Sequence, residues 1–149
     1  MQALTALAQA LRSVGREGAA ALLDSWAADV KRDFQRLLVR DGVLTGYALF
    51  GDGGGVRYLL HPSDATTGVR YSSLAMIHAI LEDVLTPEQA TEHLRLIDAH
   101  LSGPDGVRLF DRPLPYHGGP QRLFQRAETA TFFGREIGLM YMHAHLRYA

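Results

Sequence analysis

Arg126-Ala127-Glu128, Gly134-Arg135-Glu136 and the pair His143 and His145 carry the chain's most suggestive chemistry. These charged and titratable groups stand beside a stretch with apolar residues on nearly every side: Ile137, Leu139, Met140, Tyr141, Met142, Ala144 and Leu146. Charge in such a setting is costly unless it is paired or put to use. The plain alternative is that Arg126 and Glu128 pair with neighbouring charges. His143-x-His145 invites a metal reading, but residues two apart on a helix point about 200° apart, so they cannot hold one ion together. His93 and His100 share a helix face yet lie two turns apart, about 10 Å, too far for a single ion. They read as solvated or capping histidines, His78 as a hydrogen-bonded core residue and His61-Pro62 as part of a loop. No metal site is expected.

Other chemistries are excluded by motif. The chain has no serine nucleophile elbow, no dinucleotide fingerprint and no metalloprotease helix. Gly51-Asp52-Gly53-Gly54-Gly55 lacks the following helix and the Lys-Ser/Thr of a phosphate-cradling loop, so its glycines serve a strand reversal. Among carboxylates, Asp111 and Glu128 alone occupy suggestive settings, and neither has a partner identifiable from spacing. No catalytic residue is assigned. The 149 residues suffice for one domain with a core, and 47% apolar with 21% charged content is that of a soluble globular protein. A formal net charge of -1 argues against nucleic acid as a partner. Without cysteine there is no disulfide or thiolate chemistry. The first eleven residues lack signal-peptide character and no stretch has the apolar length of a membrane span, so the expected location is cytoplasmic.

The elements that must position these groups are mostly helices. A weakly amphipathic helix is predicted over residues 2–13, stopped by Gly15. A second, over 17–40, places Leu22, Leu23, Trp26, Ala27, Val30, Phe34, Leu37 and Leu38 on one half of its wheel and ends at Gly42. Residues 47–50 and 56–60 form a β-hairpin across the glycine turn. A third helix, 73–85, is apolar almost all round and should be covered on nearly all sides. Thr86-Pro87-Glu88-Gln89 is a helix start with a capping box, and the fourth helix runs to about Leu101 with a narrow stripe of Ala90, Leu94, Ile97 and Leu101. Turn residues 102–106 stop it, a Pro/Gly-rich loop covers 111–120, and a last helix runs from about Arg135 to the terminus. Helices two and four have one dry face, while three and five are dry throughout. Paired inner and outer helical layers, as in α/α barrels or solenoids, produce this alternation. The final helix carries no stop signal, as though the chain continued or docked on another polypeptide.

Several segments carry a family resemblance: Gly106-Val107-Arg108-Leu109-Phe110-Asp111-Arg112-Pro113, residues 126–145, Leu59-Leu60-His61-Pro62 through Gly68-Val69-Arg70-Tyr71, Leu85-Thr86-Pro87-Glu88-Gln89 and Gly134-Arg135-Glu136-Ile137-Gly138-Leu139-Met140-Tyr141. The chain resembles the inverting glycoside phosphorylases of the cellobiose phosphorylase type (glycoside hydrolase family 94), in particular those acting on β-1,2-linked oligoglucans. The likeness runs from about residue 26 onward. It implies a mainly α fold with one short β-hairpin, in which residues 1–149 form the C-terminal, incomplete part of an (α/α)6 barrel catalytic domain. In such enzymes a single Asp in an Asp-Trp motif protonates the glycosidic oxygen, and inorganic phosphate attacks the anomeric carbon from the opposite face, giving glucose 1-phosphate. This sequence has no Asp-Trp pair, since Trp26 follows Ser25. The resemblance therefore places the acid upstream of Met1 and implies that the chain is inactive alone.

By the same resemblance His143 binds phosphate, and Arg126 and Glu128 hold the acceptor sugar, where a guanidinium and a carboxylate suit hydroxyl groups. A packed His143 bonded to backbone is the alternative. No cofactor is implied beyond inorganic phosphate as co-substrate. The implied partners are an oligosaccharide and either the N-terminal part of the enzyme or a second copy. A non-enzymatic helical module binding a partner protein or a sugar is the competing reading.

Overall fold

The computed structural model describes residues 1–114 and 142–148, with the side chains of residues 142–144 outside that description. About half of the described residues are helical, and the strands form three small antiparallel pairs. The fold is mainly α, as expected. Helix α1 (Gln2–Ser13) packs on α2 (Glu17–Leu38), and Gly15 between them takes a left-handed φ of 73° that a side chain would resist. Ala8, Ala20 and Leu23 are buried where the two helices meet, with Leu4 and Leu11 around them.

Helix α2 ends two residues earlier than its periodicity predicts. Val39 and Arg40 become strand β1 (Val39–Arg40), which pairs with β2 (Val43–Leu44) in the register Val39↔Leu44 and Arg40↔Val43. Asp41 and Gly42, at φ 49° and 79°, supply the two left-handed residues of a tight primed turn. Asp-Gly is a strong hairpin signal, and it overrides the helical pattern here. The glycine-turn hairpin forms as predicted from β3 (Tyr47–Phe50) and β4 (Val56–Leu59), with Leu60 left-handed at its exit. Gly46, at the entrance to β3, has no room for a side chain: a Cβ there would lie 2.7 Å from Leu60 Cβ.

Helix α3 (Ser73–Leu81) stops four residues short of the predicted 85. Asp83 takes φ 52°, its amide donates to Ile80 O at 3.0 Å, and Val84 N donates to Ala79 O at 3.0 Å. This is a Schellman closure made without glycine, and Val84 packs beside Ala79 as that closure requires. Val84 and Leu85 are buried, so the apolar pattern reported burial correctly while the helix had already ended. The expectation that α3 is dry on nearly all sides holds in part. Met76, Ile77 and Ala79 are buried, but His78 and Leu81 form an exposed flank.

Helix α4 (Pro87–His100) begins with the predicted capping box: Thr86 accepts from Gln89 N at 3.3 Å, and Gln89 Oε1 accepts from Thr86 N at 2.9 Å. Of the predicted stripe, Ile97 and Leu101 are buried and Ala90 packs on a core cluster, but Leu94 does not join them. His93, Leu96 and Ile97 point inward and Leu94 is exposed, because the core lies under Met76, Ile77 and Leu101. The turn at 102–106 becomes strands β5 (Ser102–Gly103) and β6 (Gly106–Val107). Helix α5 (Met142–Tyr148) packs against α3 and β6, and Tyr148 joins the Met76–Ile97 cluster. Leu146 is 69% exposed, so over its described residues α5 also has a wet side.

The covered and exposed members of that stripe give a direct comparison. Ile97→Ala should cost about 2–5 kcal/mol in chemical denaturation, whereas Leu94→Ala should stay within about 0.5 kcal/mol of the parent. Equal losses would restore the predicted stripe. Thr86→Ala should cost about 1 kcal/mol through loss of the cap.

Candidate functional site

Of the residues singled out by sequence, Arg126 and Glu128 lie outside the described residues. His143 lies on the backbone of α5, one turn before Arg147, and its side chain is outside the description. The structure does describe what surrounds that helix. Arg147 reaches back to α3 and donates through Nη1 to His78 Nε2 at 2.6 Å. His78 is therefore an exposed, Arg-bonded histidine, not the core residue expected from the apolar run around it. Leu74, His78 and Leu81 share the one flank of α3 that faces away from the Met76–Ile97 core. Among the described residues, the buried Nδ1 of His145 and Nε of Arg108 have no hydrogen-bond partner. Arg108 follows β6, against which α5 packs. Three cationic or protonatable side chains, His78, His145 and Arg147, thus lie on α3 and α5, whereas the Arg108 guanidinium faces Asp105 at 3.9 Å. Such a set suits an anionic ligand, since charge-assisted bonds from guanidinium and imidazolium are the strong ones.

Asp111, one of the two carboxylates in a suggestive setting, is consumed structurally. Its Oδ1 accepts from Arg70 N at 2.8 Å and Tyr71 N at 3.1 Å, and its Oδ2 faces Arg112 Nε at 3.3 Å. These bonds fasten the 108–112 segment beside the start of α3, where Ser72 and Phe110 also form a bridge. A carboxylate with both oxygens so engaged is an organiser of backbone.

Asp64 does the same work in the loop after β4 and was not anticipated. It accepts from Leu60 N at 3.0 Å, Thr66 N at 2.8 Å, Thr67 N at 3.0 Å and the Thr67 hydroxyl. Partial burial works to raise its pKa, but the bonds from Thr67, Leu60 and Thr66 outweigh that and hold the carboxyl below its usual value. The sequence signal was available in Asp64-Ala65-Thr66-Thr67, a side-chain acceptor followed by free amides. His61, expected in a loop, is buried at 2% exposure and donates from Nε2 to Arg40 O at 3.0 Å. His93, expected to be solvated or capping, is fully buried. His100 stacks on Tyr71, ring centroids 4.4 Å apart at 7°.

A second feature is an open groove of about 470 Å³ between α2 and β3. Trp26, Val30, Phe34, Leu37, Leu38 and Phe50 line it, with Asp29 and Asp33 at its edge. Trp26 and Val30 are about half exposed, so the apolar half-wheel read for α2 is only partly covered. Among the described residues no group of three or more His, Cys, Asp or Glu could hold a metal ion. Nor is any described helix long and apolar enough to cross a membrane.

Comparison with known proteins bears on what this arrangement serves. No protein-family model matches the chain. Over 126 residues, 84% of its length, it is 36% identical to a 1,2-beta-oligoglucan phosphorylase from Listeria innocua. Over most of its length, then, the chain is similar to part of that phosphorylase. It spans about 12% of the length of that relative. The similarity is thus an extended one and not confined to one short motif.

The structural assignment of Asp111 can be checked by substitution. Asp111→Ala leaves two backbone amides without their acceptor and should cost about 1–3 kcal/mol. Asp111→Asn keeps an acceptor oxygen and should lose much less, as read from urea midpoints. A loss of equal size in both variants would show that charge, not the acceptor geometry, is what matters.

Proposed function

We propose that the chain is part of the (α/α)6 barrel catalytic domain of a carbohydrate phosphorylase that cleaves β-glucosidic bonds with inorganic phosphate to give glucose 1-phosphate. The single observation that carries this reading is the 36% identity across 84% of the chain to a 1,2-beta-oligoglucan phosphorylase. The helical content and the three short antiparallel strand pairs, where one hairpin was expected, are compatible with a barrel segment.

In this reading the substrate is an oligosaccharide and phosphate is the co-substrate, with no other cofactor. His143 binds phosphate, and Arg126 and Glu128 hold the acceptor sugar. The cationic and protonatable groups around α5 support an anion subsite in that region: Arg147, one turn from His143, and the buried, unpartnered nitrogens of His145 and Arg108. Phosphate supplies the nucleophile, so one protonated carboxyl is all the acid chemistry that inversion requires. Asp111 and Asp64 are committed to backbone amides and do not suit that role. The sequence also has no Asp-Trp pair. On this reading the chain is inactive alone and acts together with the rest of a phosphorylase.

A second reading, a non-enzymatic helical module that binds a protein partner, draws on the open apolar groove beside Trp26, Val30 and Phe50.

The test is complementation. Incubated with sophoro-oligosaccharides and phosphate, the chain alone should release no glucose 1-phosphate, and a complementary N-terminal piece should restore release. Two folded pieces that bind each other yet give no product would sink the enzymatic reading and favour the module. In the restored enzyme His143→Ala should raise the KM for phosphate at least tenfold and change the KM for glucan much less. An unchanged phosphate KM would remove His143 from the site.

A further inference from the structure

Two fully or nearly fully buried imidazoles grip the short β1–β2 hairpin, and their hydrogen bonds fix opposite tautomers. His93 on α4 is 0% exposed. Its Nε2 accepts from Leu44 N at 2.9 Å, so that nitrogen carries a lone pair, and its Nδ1 lies 2.6 Å from Gln89 O, so that nitrogen carries the hydrogen. His61 is arranged the other way. Its Nδ1 accepts from Ser63 N at 3.1 Å and its Nε2 donates to Arg40 O at 3.0 Å. One histidine thus holds the carbonyl of β1 and the other holds the amide of β2.

The two grips respond differently to a proton. A charged His61 would keep its bond to Arg40 and face only the Ser63 amide, whose hydroxyl Oγ at 2.7 Å can turn to accept. A charged His93 would set two N–H groups against each other at Leu44. We propose that His93 is a proton-operated latch: neutral, it locks the β1–β2 hairpin onto α4, and protonated, it releases the hairpin. The hairpin runs directly into β3, whose Phe50 walls the groove beside Trp26, so release loosens that groove as well.

The charged groups on the elements packed around His93 are few. Glu92 and Arg95 flank it on α4, paired with each other at 2.6 Å. On the hairpin Arg40 pairs with Asp41 at 3.4 Å, on α2 Arg36 pairs with Asp33 at 3.3 Å, and after α3 Glu82 meets the N-terminal amine at 3.5 Å. His78 on α3 accepts from Arg147. Of these, Glu92 is the one whose charge acts on the imidazole, in the direction of protonation. Burial prevails over it and over the Gln89 bond, and holds the His93 pKa below its ordinary 6.5.

The sign follows from proton counts. Between its ordinary pKa and its depressed one, His93 binds a proton in the released state and not in the locked state. Lock stability is complete above about pH 6.5 and falls as pH drops below it. From pH 7.5 to pH 5.5 the protection factor of the Leu44 amide, corrected for intrinsic exchange, should fall, by up to about tenfold. Leu23 in the α1–α2 contact should keep its protection. His93→Gln offers an oxygen to Leu44 and a nitrogen to Gln89 without titrating, and should make the Leu44 profile flat. A flat profile in the parent, an equal fall in His93→Gln, or a joint fall of Leu44 and Leu23 would each overturn the latch. Should His93→Gln fail to fold, the imidazole nitrogen shifts of the parent decide. An Nδ1–H tautomer at pH 7.5 that disappears together with Leu44 protection supports the latch, and an Nε2–H or charged ring at that pH overturns it.

Discussion

The backbone between Val39 and Leu44 is where the separate parts of the molecule are tied together. Leu44 is buried in one cluster with Ala79, Val84 and Leu85, while Val43 packs on the other, formed by Met76, Ile77, Leu96 and Ile97. Its turn hands the chain from a long helix to a β-hairpin, and a two-residue strand contributes too few ladder bonds to hold that position alone. The polar groups it exposes inside the protein must find partners, and His61 and His93 supply them. Every element from α2 to α4 is positioned relative to this joint. Its constraint is one of hydrogen-bond satisfaction, since each buried amide or carbonyl left unpaired costs as much as the bond would give.

That constraint explains why so many polar residues of this chain turn out to serve structure. Asp64 and Asp111 each gather backbone amides, one after β4 and one before α3. Gln35 and Gln89 exchange a reciprocal pair of amide bonds between α2 and α4 while Gln89 also completes the helix cap. Residues with acid–base potential are thereby committed, and the groups left with unmet capacity, His145 Nδ1 and Arg108 Nε, belong to the neighbourhood of α5. It is the helix that also bears His143. Under the proposed phosphorylase reading, that neighbourhood would meet phosphate, which needs cationic donors and not a second carboxylate.

Local signals were readable residue by residue. The cap at Thr86 and Gln89, the stop at Gly15, the reversal at Gly51 to Gly55 and the bounds of α1 all depend on interactions within a few residues, and the sequence contains both partners. The Asp41-Gly42 turn was equally local and was missed because the apolar period of α2 continued through it. The end of α3 carried no glycine to announce it: Asp83 accepts a left-handed conformation because Val84 gains burial by it.

Composition and periodicity by themselves determined the helical class, the number of helices before residue 101 and the apolar character of each, because these follow from side chains a turn apart. The likeness to the phosphorylases was also present in the sequence, on segments spread along the chain. Which face of α4 is covered, which histidines are dry and what Asp111 bonds were settled by tertiary structure. Those outcomes depend on partners forty or more residues away: Leu44 for His93, Arg70 for Asp111, Arg147 for His78. A one-dimensional pattern records that a residue can be buried or bonded. Only the packed arrangement fixes the direction from which its neighbour arrives.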